Sequence, residues 1–351
     1  MRTEALVIGG GIAGIVATLE LLRAGKRVAL VERAPLEHLG GLAREAFGGM
    51  ALVGTPLQKR HGIHDTPELA LADWLRWGEL GADEHWPRAW AAHYVERSVP
   101  DIHDWLAAEG LSFLPAVNWV ERGRFGEGNS VPRYHVLAGT AQRLTLRLIA
   151  AMQAAGAGGR LQLLAGHYAG ALDTCAGRVG GAFVREVASG AETRIEAEAV
   201  LLASGGINGS HAQLRRHWPE TEPLPAQLWN GAHPDADGAL HDWVATHLGG
   251  HLTHLGDMWN YAAGIGHPRP RFPGHGLSLI PCKSALWLDH RGRRIGPEPL
   301  VTGFDTHWLC QRVAAQEQPW TWQLLNRRIA RREFAISGAE HNPRIRDRQL
   351  L

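Results

Sequence analysis

Residues 5–14 read Ala5-Leu-Val-Ile-Gly-Gly-Gly-Ile-Ala-Gly14 and contain the strongest structural signal of the chain. The apolar run that opens it predicts a buried parallel strand, and the apolar spacing after the glycines predicts a helix. Between them, Gly9, Gly11 and Gly14 form the pattern Gly-x-Gly-x-x-Gly. The first glycine permits a tight turn, the second lets the backbone approach a pyrophosphate, and the third lets helix and strand pack closely. We therefore predict that the helix N-terminus binds a diphosphate through its free N–H groups.

A second buried strand is predicted from Val28 to Val31, and it is followed by Glu32, eighteen residues after Gly14. An acid about twenty residues past the last glycine accepts hydrogen bonds from the ribose of a dinucleotide. Gly25 stands where a helix-ending glycine is expected. Three glycines and an acid in register favour a dinucleotide site over a glycine-rich turn used only for packing.

The composition is that of a globular protein, with 351 residues of which 45% are hydrophobic and 20% charged. This length suffices for two domains. A formal net charge of +1 creates no strong field toward polyanions, so we predict no nucleic-acid partner. The sequence enters a core strand at once, which leaves no room for a signal peptide, and no apolar run reaches the roughly 18 residues of a membrane span. We predict a cytoplasmic protein without a membrane span.

Neither the cysteines nor the histidines predict a metal site. The three cysteines are far apart and form no Cys-x-x-Cys motif, which argues against structural zinc and against a disulfide scaffold. His247, His251 and His254 are close in sequence, but Gly249 and Gly250 interrupt any helix that would align them. No His-Glu-x-x-His pattern occurs, and we predict no metal.

Residues 66 to about 112 are predicted to be largely helical, with Thr66-Pro67-Glu68 as a helix start. A further helix is predicted from Gln142 to Gln153. The first of these regions is rich in tryptophan, and the spacing favours core packing between helices over stacking on a ligand. The tryptophans concerned are Trp74, Trp77, Trp86, Trp90 and Trp105.

Short β segments are predicted at residues 161–164, 182–187 and 194–196, joined as an antiparallel meander by glycine turns at Gly177 and Gly190. A separate apolar strand from Val200 then leads into a glycine pair and returns to the main sheet. From about Pro223 onward the chain is richer in Pro, His and Trp. We therefore predict two domains, residues 1–222 and residues 223–351.

These motifs together resemble a known family. The opening glycine turn with Glu32, the pairs Gly40-Gly41 and Gly48-Gly49, and the run Ala203-Ser-Gly-Gly206 are similar to the FAD-binding domain of the fumarate reductase/succinate dehydrogenase flavoprotein superfamily. Within it, the chain resembles the FAD-binding dehydrogenases related to 3-ketosteroid dehydrogenases. The segments that carry this resemblance are Leu71-Ala-Asp-Trp-Leu, Gly128-Asn-Ser-Val-Pro-Arg, Ser284-Ala-Leu-Trp-Leu-Asp-His-Arg-Gly-Arg-Arg294, Gly303-Phe-Asp-Thr306 and Glu333-Phe-Ala-Ile-Ser-Gly338.

The resemblance implies an α/β fold, with a Rossmann-like FAD-binding domain of the ββα flavoprotein type and an α+β cap domain. It implies FAD as the cofactor, with the first three glycines on the pyrophosphate, Glu32 on the adenosine ribose, both glycine pairs on the ribityl and flavin side, and the backbone of Ala169 near the adenine. The complete set of predicted cofactor-binding residues is Gly9, Gly11, Ile12, Ala13, Gly14, Glu32, Arg33, Gly40, Gly41, Gly48, Gly49, Ala169, Ser204, Gly205 and Gly206.

The chain departs from the family in three places. Fumarate reductases carry an Arg-Gly-Glu run whose arginine donates a proton, whereas this chain has Pro281-Cys-Lys283, so we expect a substrate other than fumarate or succinate. Where close relatives have Gly-Thr-Gly-Pro-Gly, this chain has Gly139-Thr-Ala-Gln-Arg143, whose added side chains would crowd the site. Family members also continue through a late strand and a second glycine-rich turn, so we expect the last part of the FAD-binding domain to be missing here.

Three residues are candidates for catalysis. Arg133 and His135 match an Arg-x-His pattern of the superfamily, and His135 could orient flavin or substrate. Alternatively, His135 makes a structural hydrogen bond that fixes its loop, and the sequence leaves both possibilities open. Tyr261 could act as acid or base beside a ketone or its enol, or it could simply pack in the cap.

The main functional hypothesis is an FAD-dependent oxidoreductase, a dehydrogenase that transfers a hydride between a carbon of its substrate and flavin N5. The substrate would be a lipophilic or carbonyl-bearing small molecule, steroid-like if the resemblance is a guide, and the electron acceptor is unknown. The alternative is a truncated, catalytically inactive flavoprotein remnant that keeps only the adenosine-diphosphate half-site. A dehydrogenase that uses NAD alone is disfavoured because the two glycine pairs would have no role in it.

Overall fold

The computed structural model describes residues 1–123, 127–296 and 305–349, so Gly303 and Phe304 of the family resemblance lie outside the described residues. The strands are β1 (Arg2–Ile8), β2 (Val28–Glu32), β3 (Gly49–Ala51), β4 (Phe113–Asn118), β5 (Tyr134–Leu137), β6 (Leu161–Ala165), β7 (His167–Cys175), β8 (Arg178–Glu186), β9 (Glu192–Leu202), β10 (Gly264–Gly266), β11 (Gly276–Ile280), β12 (Leu286–Leu288), β13 (Trp322–Leu324) and β14 (Ala335–Ile336). The α-helices are α1 (Ile12–Arg23), α2 (Gly41–Glu45), α3 (Pro56–Arg60), α4 (Pro67–Trp77), α5 (His85–Arg97), α6 (Trp105–Ala108), α7 (Thr140–Ala155), α8 (His211–Arg216), α9 (Ala239–Leu248), α10 (Thr306–Ala314), α11 (Arg327–Glu333) and α12 (Pro343–Arg346). No helix of the described residues combines the length and the apolar character needed to cross a membrane.

The chain folds into two compact units. Unit 1 comprises Met1–Ala46, Ala141–Pro219 and Asn230–Met258, and unit 2 comprises Phe47–Thr140, Glu220–Trp229 and Trp259–Leu351. Compactness thus groups the chain differently from the boundary predicted after residue 222. That boundary was predicted from the change in composition at Pro223, and the division into an FAD-binding domain (1–222) and an incomplete cap domain (223–351) stays a prediction.

Unit 1 is built on a six-stranded sheet in the order β6-β2-β1-β9-β8-β7. β1 pairs in parallel with both β2 and β9, which confirms the predicted strand–helix–strand opening. β9 is a single strand: residues 192–196 pair antiparallel with β8, and residues 196–202 pair parallel with β1. The prediction of two separate strands here was wrong, because no turn residue interrupts the run between them.

The predicted meander is correct at its two turns but not at its first strand. Gly177 and Gly190 adopt left-handed φ values of 77° and 71°, and they join β7 to β8 and β8 to β9. β6, however, pairs in parallel with β2 rather than within the meander. Strand β7 was not predicted, because its glycine and aspartate break the apolar alternation that marks a strand.

One core cluster of unit 1 lies on one face of this sheet. It combines alternate residues of β1 and β2 with residues of β7, β8 and β9, and Leu240 of α9 packs into the same cluster. Trp243 and Val244, on the same helix, pack against it. The segment around α9 was predicted to belong to the second domain, yet its apolar stripe is buried on the main sheet.

Unit 2 contains a three-stranded sheet in the order β3-β5-β4, together with α4 and α5. Thr66 caps α4 by accepting a hydrogen bond from the Leu69 N–H, with proline in the first turn, which confirms the predicted helix start. The core-packing prediction was wrong for Trp86 and Trp90 of α5, which are 71% and 69% exposed, and Trp74 of α4 is also 41% exposed. Helix α5 buries only Ala91 and Val95, so helical spacing alone did not identify the buried side.

The remainder of unit 2 consists of two small sheets with helices between them. One has the order β10-β11-β14, and the other pairs β12 with β13. Trp287 of β12 is buried with Ile295 and with Leu309 of α10. This small core fixes one face of the β12–β13 pair.

Candidate functional site

The glycine turn between β1 and α1 is shaped by close approaches that only glycine allows. A Cβ on Gly14 would lie 1.8 Å from the carbonyl oxygen of Gly9, so the helix could not pack against the turn with any larger residue. Gly9 has φ +107°, and a Cβ on it would meet the Ala203 oxygen at 2.3 Å. The first turn of α1 contains no acidic residue, and its N-cap, Gly11, offers no side chain. Its N–H groups and positive dipole end are therefore available to an anion.

Glu32, at the end of β2, holds this turn in place. Its Oε2 accepts the Gly10 N–H at 2.5 Å, and its Oε1 accepts the Ala34 N–H at 2.7 Å. A carboxylate has about four lone-pair positions, so further donors can still be accommodated. The carboxylate is thus fixed beside the turn, where a ribose diol could hydrogen-bond to it.

The predicted pair Gly40-Gly41 lies directly against the first turn. The Gly40 N–H donates to the Gly10 carbonyl at 3.0 Å, and Gly11 and Gly40 form an isolated parallel bridge. A Cβ on Gly41 would lie 3.3 Å from the Gly11 Cα. The two glycine turns therefore build one backbone surface.

A cavity of about 450 Å³ opens on this surface within unit 1. Five of the predicted residues line it, namely Gly11, Ile12, Ala13, Ser204 and Gly205. The other lining residues were not among the predicted site residues; they are Leu42, Ala43, Leu202, Ala203, Leu240, His241, Val244 and Leu252. The apolar stripe of α9 was the signal that could have identified some of them, but α9 had been assigned to the other domain.

This cavity fits the diphosphate and ribose part of a dinucleotide. A Cβ on Gly11 would meet no protein atom within 4 Å, so the space next to this backbone is open. Among the described residues that line the cavity, none is acidic. Free N–H groups at a helix start, without a competing carboxylate, suit a bound diphosphate.

Arg33, Ala169 and Gly206 lie near this region but make other contacts. The Arg33 guanidinium donates to Asp237 at 2.8 Å and lies 5.2 Å from the centre of the Tyr168 ring. Burial alone would lower the pKa of Arg33, but the hydrogen bond and charge of Asp237 outweigh it and raise that pKa. Ala169 points its side chain into the core, so only its backbone could contact a ligand. Gly206 follows β9, and a Cβ there would meet nothing within 4 Å.

The other predicted site residues belong to unit 2. Arg133 is 4% exposed and lies between Asp65 and Asp73, which are 0% and 2% exposed. Its guanidinium donates to Asp65 Oδ1 at 2.8 Å, to Asp73 Oδ2 at 2.6 Å and to Asn129 Oδ1 at 2.9 Å. These bonds raise the pKa of Arg133, although its burial by itself would lower it. Arg133 thus closes a buried ion-pair network.

His135 is fully buried in β5. Its Nε2 lies 2.8 Å from Thr55 Oγ1, and its Nδ1 lies 2.7 Å from the Arg133 carbonyl oxygen, to which it can only donate. Burial lowers the pKa of His135, and the Arg133 carbonyl opposes that effect only in part. These contacts agree with the alternative in which His135 makes structural hydrogen bonds that fix its loop. A catalytic role for His135 stays a prediction.

Tyr261 is half exposed, and Tyr134 lies near it in unit 2. Burial raises the pKa of Tyr134, and Tyr261 adds to the effect. The Tyr134 ring lies against Gly49, where a Cβ would come within 1.8 Å of the ring. The Gly48 carbonyl accepts the Leu137 N–H at 3.0 Å. The pair Gly48-Gly49 thus makes room for a tyrosine that the sequence analysis did not include among its candidate site residues.

One cluster in the described part of unit 2 has the composition of a metal site. His267, Glu340 and His341 place possible ligand atoms within 4.8 Å of one another. Arg269 already engages two of them, since its side chain pairs with Glu340 and its N–H donates to His267 Nδ1 at 3.0 Å. The cluster therefore has a cation of its own, and the three histidines singled out from the sequence are not part of it.

Comparison with known proteins supports the predicted fold. The chain is 37% identical to a KsdD-like steroid dehydrogenase of Mycolicibacterium smegmatis, covering 99% of this chain and 66% of that protein. It is 36% identical to a KsdD-like steroid dehydrogenase of Mycobacterium tuberculosis, covering 100% of this chain and 64% of that protein. The chain therefore spans about two thirds of the length of these curated relatives.

Two solved structures share the fold. A 3-ketosteroid-Δ4-(5α)-dehydrogenase from Rhodococcus jostii RHA1 aligns with a TM-score of 0.67 and 22% identity over 94% of this chain and 67% of that one. A flavocytochrome c3 fumarate reductase aligns with a TM-score of 0.71 and 22% identity over 94% of this chain and 54% of that one. These alignments confirm the predicted α/β flavoprotein fold. Because the family of FAD binding domains matches residues 4–346, nearly the whole length, the chain belongs to that family.

Proposed function

We propose that this chain binds FAD and acts as a dehydrogenase on a lipophilic, carbonyl-bearing small molecule of the steroid type. The observation that carries the proposal is the cavity above Gly11 at the uncapped start of α1. Glu32 is fixed beside the same turn by its hydrogen bond from the Gly10 N–H. The family match and the steroid dehydrogenases among the relatives support FAD and this substrate class. They also favour an enzyme over the inactive remnant.

In this proposal the start of α1 holds the pyrophosphate, with Gly9 and Gly14 shaping the turn beneath it. Glu32 accepts hydrogen bonds from the adenosine ribose, and Ala169 offers its backbone to the adenine. The Ser204 to Gly206 run after β9 contacts the cofactor beside the first turn. FAD, when bound, supplies the redox chemistry by exchanging a hydride with a carbon of the substrate.

The residues of unit 2 would position the substrate and handle its proton. The Tyr134 hydroxyl is protonated at neutral pH, as tyrosine ordinarily is, and burial raises its pKa further, so it can donate a hydrogen bond to a carbonyl oxygen. Tyr261 is the second candidate for this step, and Arg133 and His135 would act as positioning residues. Because Pro281 carries no ionisable group, the chain lacks the proton donor expected for fumarate at that position.

The substitution Gly11→Val tests the cofactor site. Gly11 has φ −74°, which valine tolerates, while the valine side chain would enter the open cavity. We expect the variant to fold and to lose FAD in a titration followed by flavin fluorescence and absorbance. Gly180→Val is the matched control, because Gly180 lies in β8 outside the cavity lining and its Cβ also meets nothing within 4 Å. Unchanged FAD affinity in Gly11→Val would contradict the proposed site.

The substrate class is tested separately. The FAD-loaded protein should reduce an artificial electron acceptor when a 3-ketosteroid is supplied, and it should not do so with succinate. Turnover with succinate alone would overturn the substrate assignment while leaving the cofactor site intact. A cytoplasmic location and the absence of a nucleic-acid partner remain part of the proposal, consistent with a net charge of +1.

A further inference from the structure

An apolar face is exposed on the two-stranded sheet of unit 2. β12 and β13 pair so that Leu286 faces Leu324 and Leu288 faces Trp322, and these four side chains share one side of the sheet. Trp287, on the other side, is 3% exposed, whereas Trp322 and Leu324 are 53% and 57% exposed. We call Leu286, Leu288, Trp322 and Leu324 the apolar face. The sheet therefore buries one side in its own core and presents a hydrophobic side outward.

A short basic helix follows this sheet directly. α11 reads Arg-Arg-Ile-Ala-Arg-Arg-Glu, and its four arginines are exposed while Ile329 is half-buried. Arg327 and Arg331, like Arg328 and Arg332, are four residues apart, so all four side chains project from one side of the helix. We call these four arginines the basic stripe.

The basic stripe is fixed next to the apolar face at both ends of the helix. Asn326, two residues after Leu324, caps α11 by accepting the Ile329 N–H at 3.0 Å. At the other end, Glu333 accepts hydrogen bonds from the Ser284 hydroxyl at 2.7 Å and the Ser284 N–H at 2.8 Å. Ser284 lies two residues before β12, so the helix is tied to both strands of the sheet.

Among the described residues, no acid neutralises the charges of the basic stripe. Within the part of the chain that the structure describes, no ion pair or hydrogen bond joins any of these four guanidinium groups to an acid. Like charges four residues apart destabilise a helix, so the stripe is unfavourable unless something anionic binds it. Its partner must therefore combine negative charge with a surface that accepts leucine and tryptophan side chains.

We infer that the apolar face and the basic stripe together bind the surface of an anionic phospholipid bilayer. Tryptophan and leucine insert at the boundary of headgroups and acyl chains, while arginines contact the phosphate groups above it. This is peripheral binding and requires no helix that crosses the membrane. The inference rests on unit 2 alone and does not depend on the proposed reaction.

Single-stranded nucleic acid is the competing polyanion, because its bases can stack on tryptophan. Of the three exposed apolar-face residues, Leu286 and Leu324 are leucines, which offer no aromatic surface for stacking and favour the lipid. A second exposed tryptophan pair, Trp86 and Trp90 on α5, has no comparable arginine stripe and serves as an internal comparison.

Sedimentation with lipid vesicles tests the inference. The wild-type chain should co-sediment with vesicles of phosphatidylglycerol and phosphatidylcholine, bind pure phosphatidylcholine far less, and be released by high salt. Each basic residue near an anionic surface contributes about a factor of five to binding, so replacing all four arginines of the stripe by glutamine should reduce the partition coefficient several hundred-fold. The double variant Trp322→Ser with Leu324→Ser should also have a lower partition coefficient than the wild type, and this loss should persist at high salt.

Two matched controls distinguish binding through this site from nonspecific electrostatic attraction and nonspecific hydrophobic adsorption. Replacing the dispersed exposed residues Arg2, Arg60, Arg178 and Arg215 by glutamine lowers the net charge equally and should leave vesicle binding nearly unchanged. Trp86→Ser with Trp90→Ser should likewise have little effect. Equal losses in stripe and control variants, no binding to anionic vesicles, or tight binding to an oligonucleotide without vesicle binding would each overturn the inference.

Discussion

Replacing Arg133 by methionine should destabilise the protein strongly, because it leaves two buried carboxylates without their cation. The guanidinium is 4% exposed, and its partners Asp65 and Asp73 are 0% and 2% exposed, so water cannot replace it. Removing one partner of a buried ion pair costs about 3–5 kcal/mol, since the remaining charge is desolvated and unpaired. We expect the free energy of unfolding to fall by this amount in a urea titration at pH 7 that is monitored by circular dichroism.

Arg76→Gln is the matched control for this measurement. Arg76 also binds Asp73, at 2.7 Å, but its side chain is 45% exposed. Because nearly half of the Arg76 side chain is exposed, water can replace it, and Arg133 still pairs with Asp73 in that variant, so the control should lose less stability than Arg133→Met. Adding Asp65→Asn and Asp73→Asn to Arg133→Met should recover part of the loss, because no buried charge then remains. An equal loss of unfolding free energy in Arg133→Met and Arg76→Gln would show that burial of the Arg133 ion pairs does not determine their contribution to stability.

The same network predicts a dependence on pH. Burial alone would raise the pKa of Asp73, but hydrogen bonds from Ser130, Arg133 and Arg76 outweigh it and lower that pKa. Because the native pKa lies below the unfolded value of about 3.9, the stabilisation is complete above that pH. It is lost as the pH falls through the native pKa. The free energy of unfolding, measured at a series of acidic pH values, should show this loss in the wild type and much less of it in Arg133→Met.

Three further predictions concern single side chains. Burial lowers the pKa of His135 below the unfolded value of about 6.5, so stability should fall as the pH drops from 7 toward 5, and His135→Gln should flatten that slope in thermal melts. Burial and, to a lesser degree, nearby acids raise the pKa of Cys310 to about 12, whereas Cys175 is exposed, so a disulfide reagent at pH 8 should modify Cys175 first. Cys175→Ser should abolish that fast phase, and a surviving fast phase would contradict the assignment. Gly14→Ala should cost about 1–3 kcal/mol or more and weaken FAD binding, because its methyl group would collide with the Gly9 oxygen. Gly206→Ala, whose methyl group meets nothing, is the stability control.

The opening of the chain could be predicted because its signals are local. The β1–α1–β2 unit depends on an apolar run, three glycines and an acid within about thirty residues, and each has one structural use. Thr66 and the glycines at residues 177 and 190 were found for the same reason, since capping and left-handed turns are properties of single positions. The wider family resemblance then identified the fold of the remaining chain.

Strand partners and burial could not be predicted in the same way. Residues 161–165 have an apolar pattern that suits either a meander or a parallel neighbour of β2, and long-range packing selects the latter. Trp86 and Trp90 fit a helical stripe equally well, yet the face that contains Ala91 is the one that packs. A periodic pattern shows that a helix has an apolar side, but not which surface will cover it.

The dinucleotide turn and its paired acid could be recognised in the amino-acid sequence because close backbone approaches there admit only glycine, and motifs along the whole chain identified the flavoprotein family. Long-range packing was needed to show that α9 lines the cavity above Gly11, that Arg133 closes a buried network between two aspartates, and that the four arginines of α11 lie beside an exposed apolar sheet. These features join residues far apart in the chain. Their energies depend on distance and on exclusion of water, which exist only once the chain has folded.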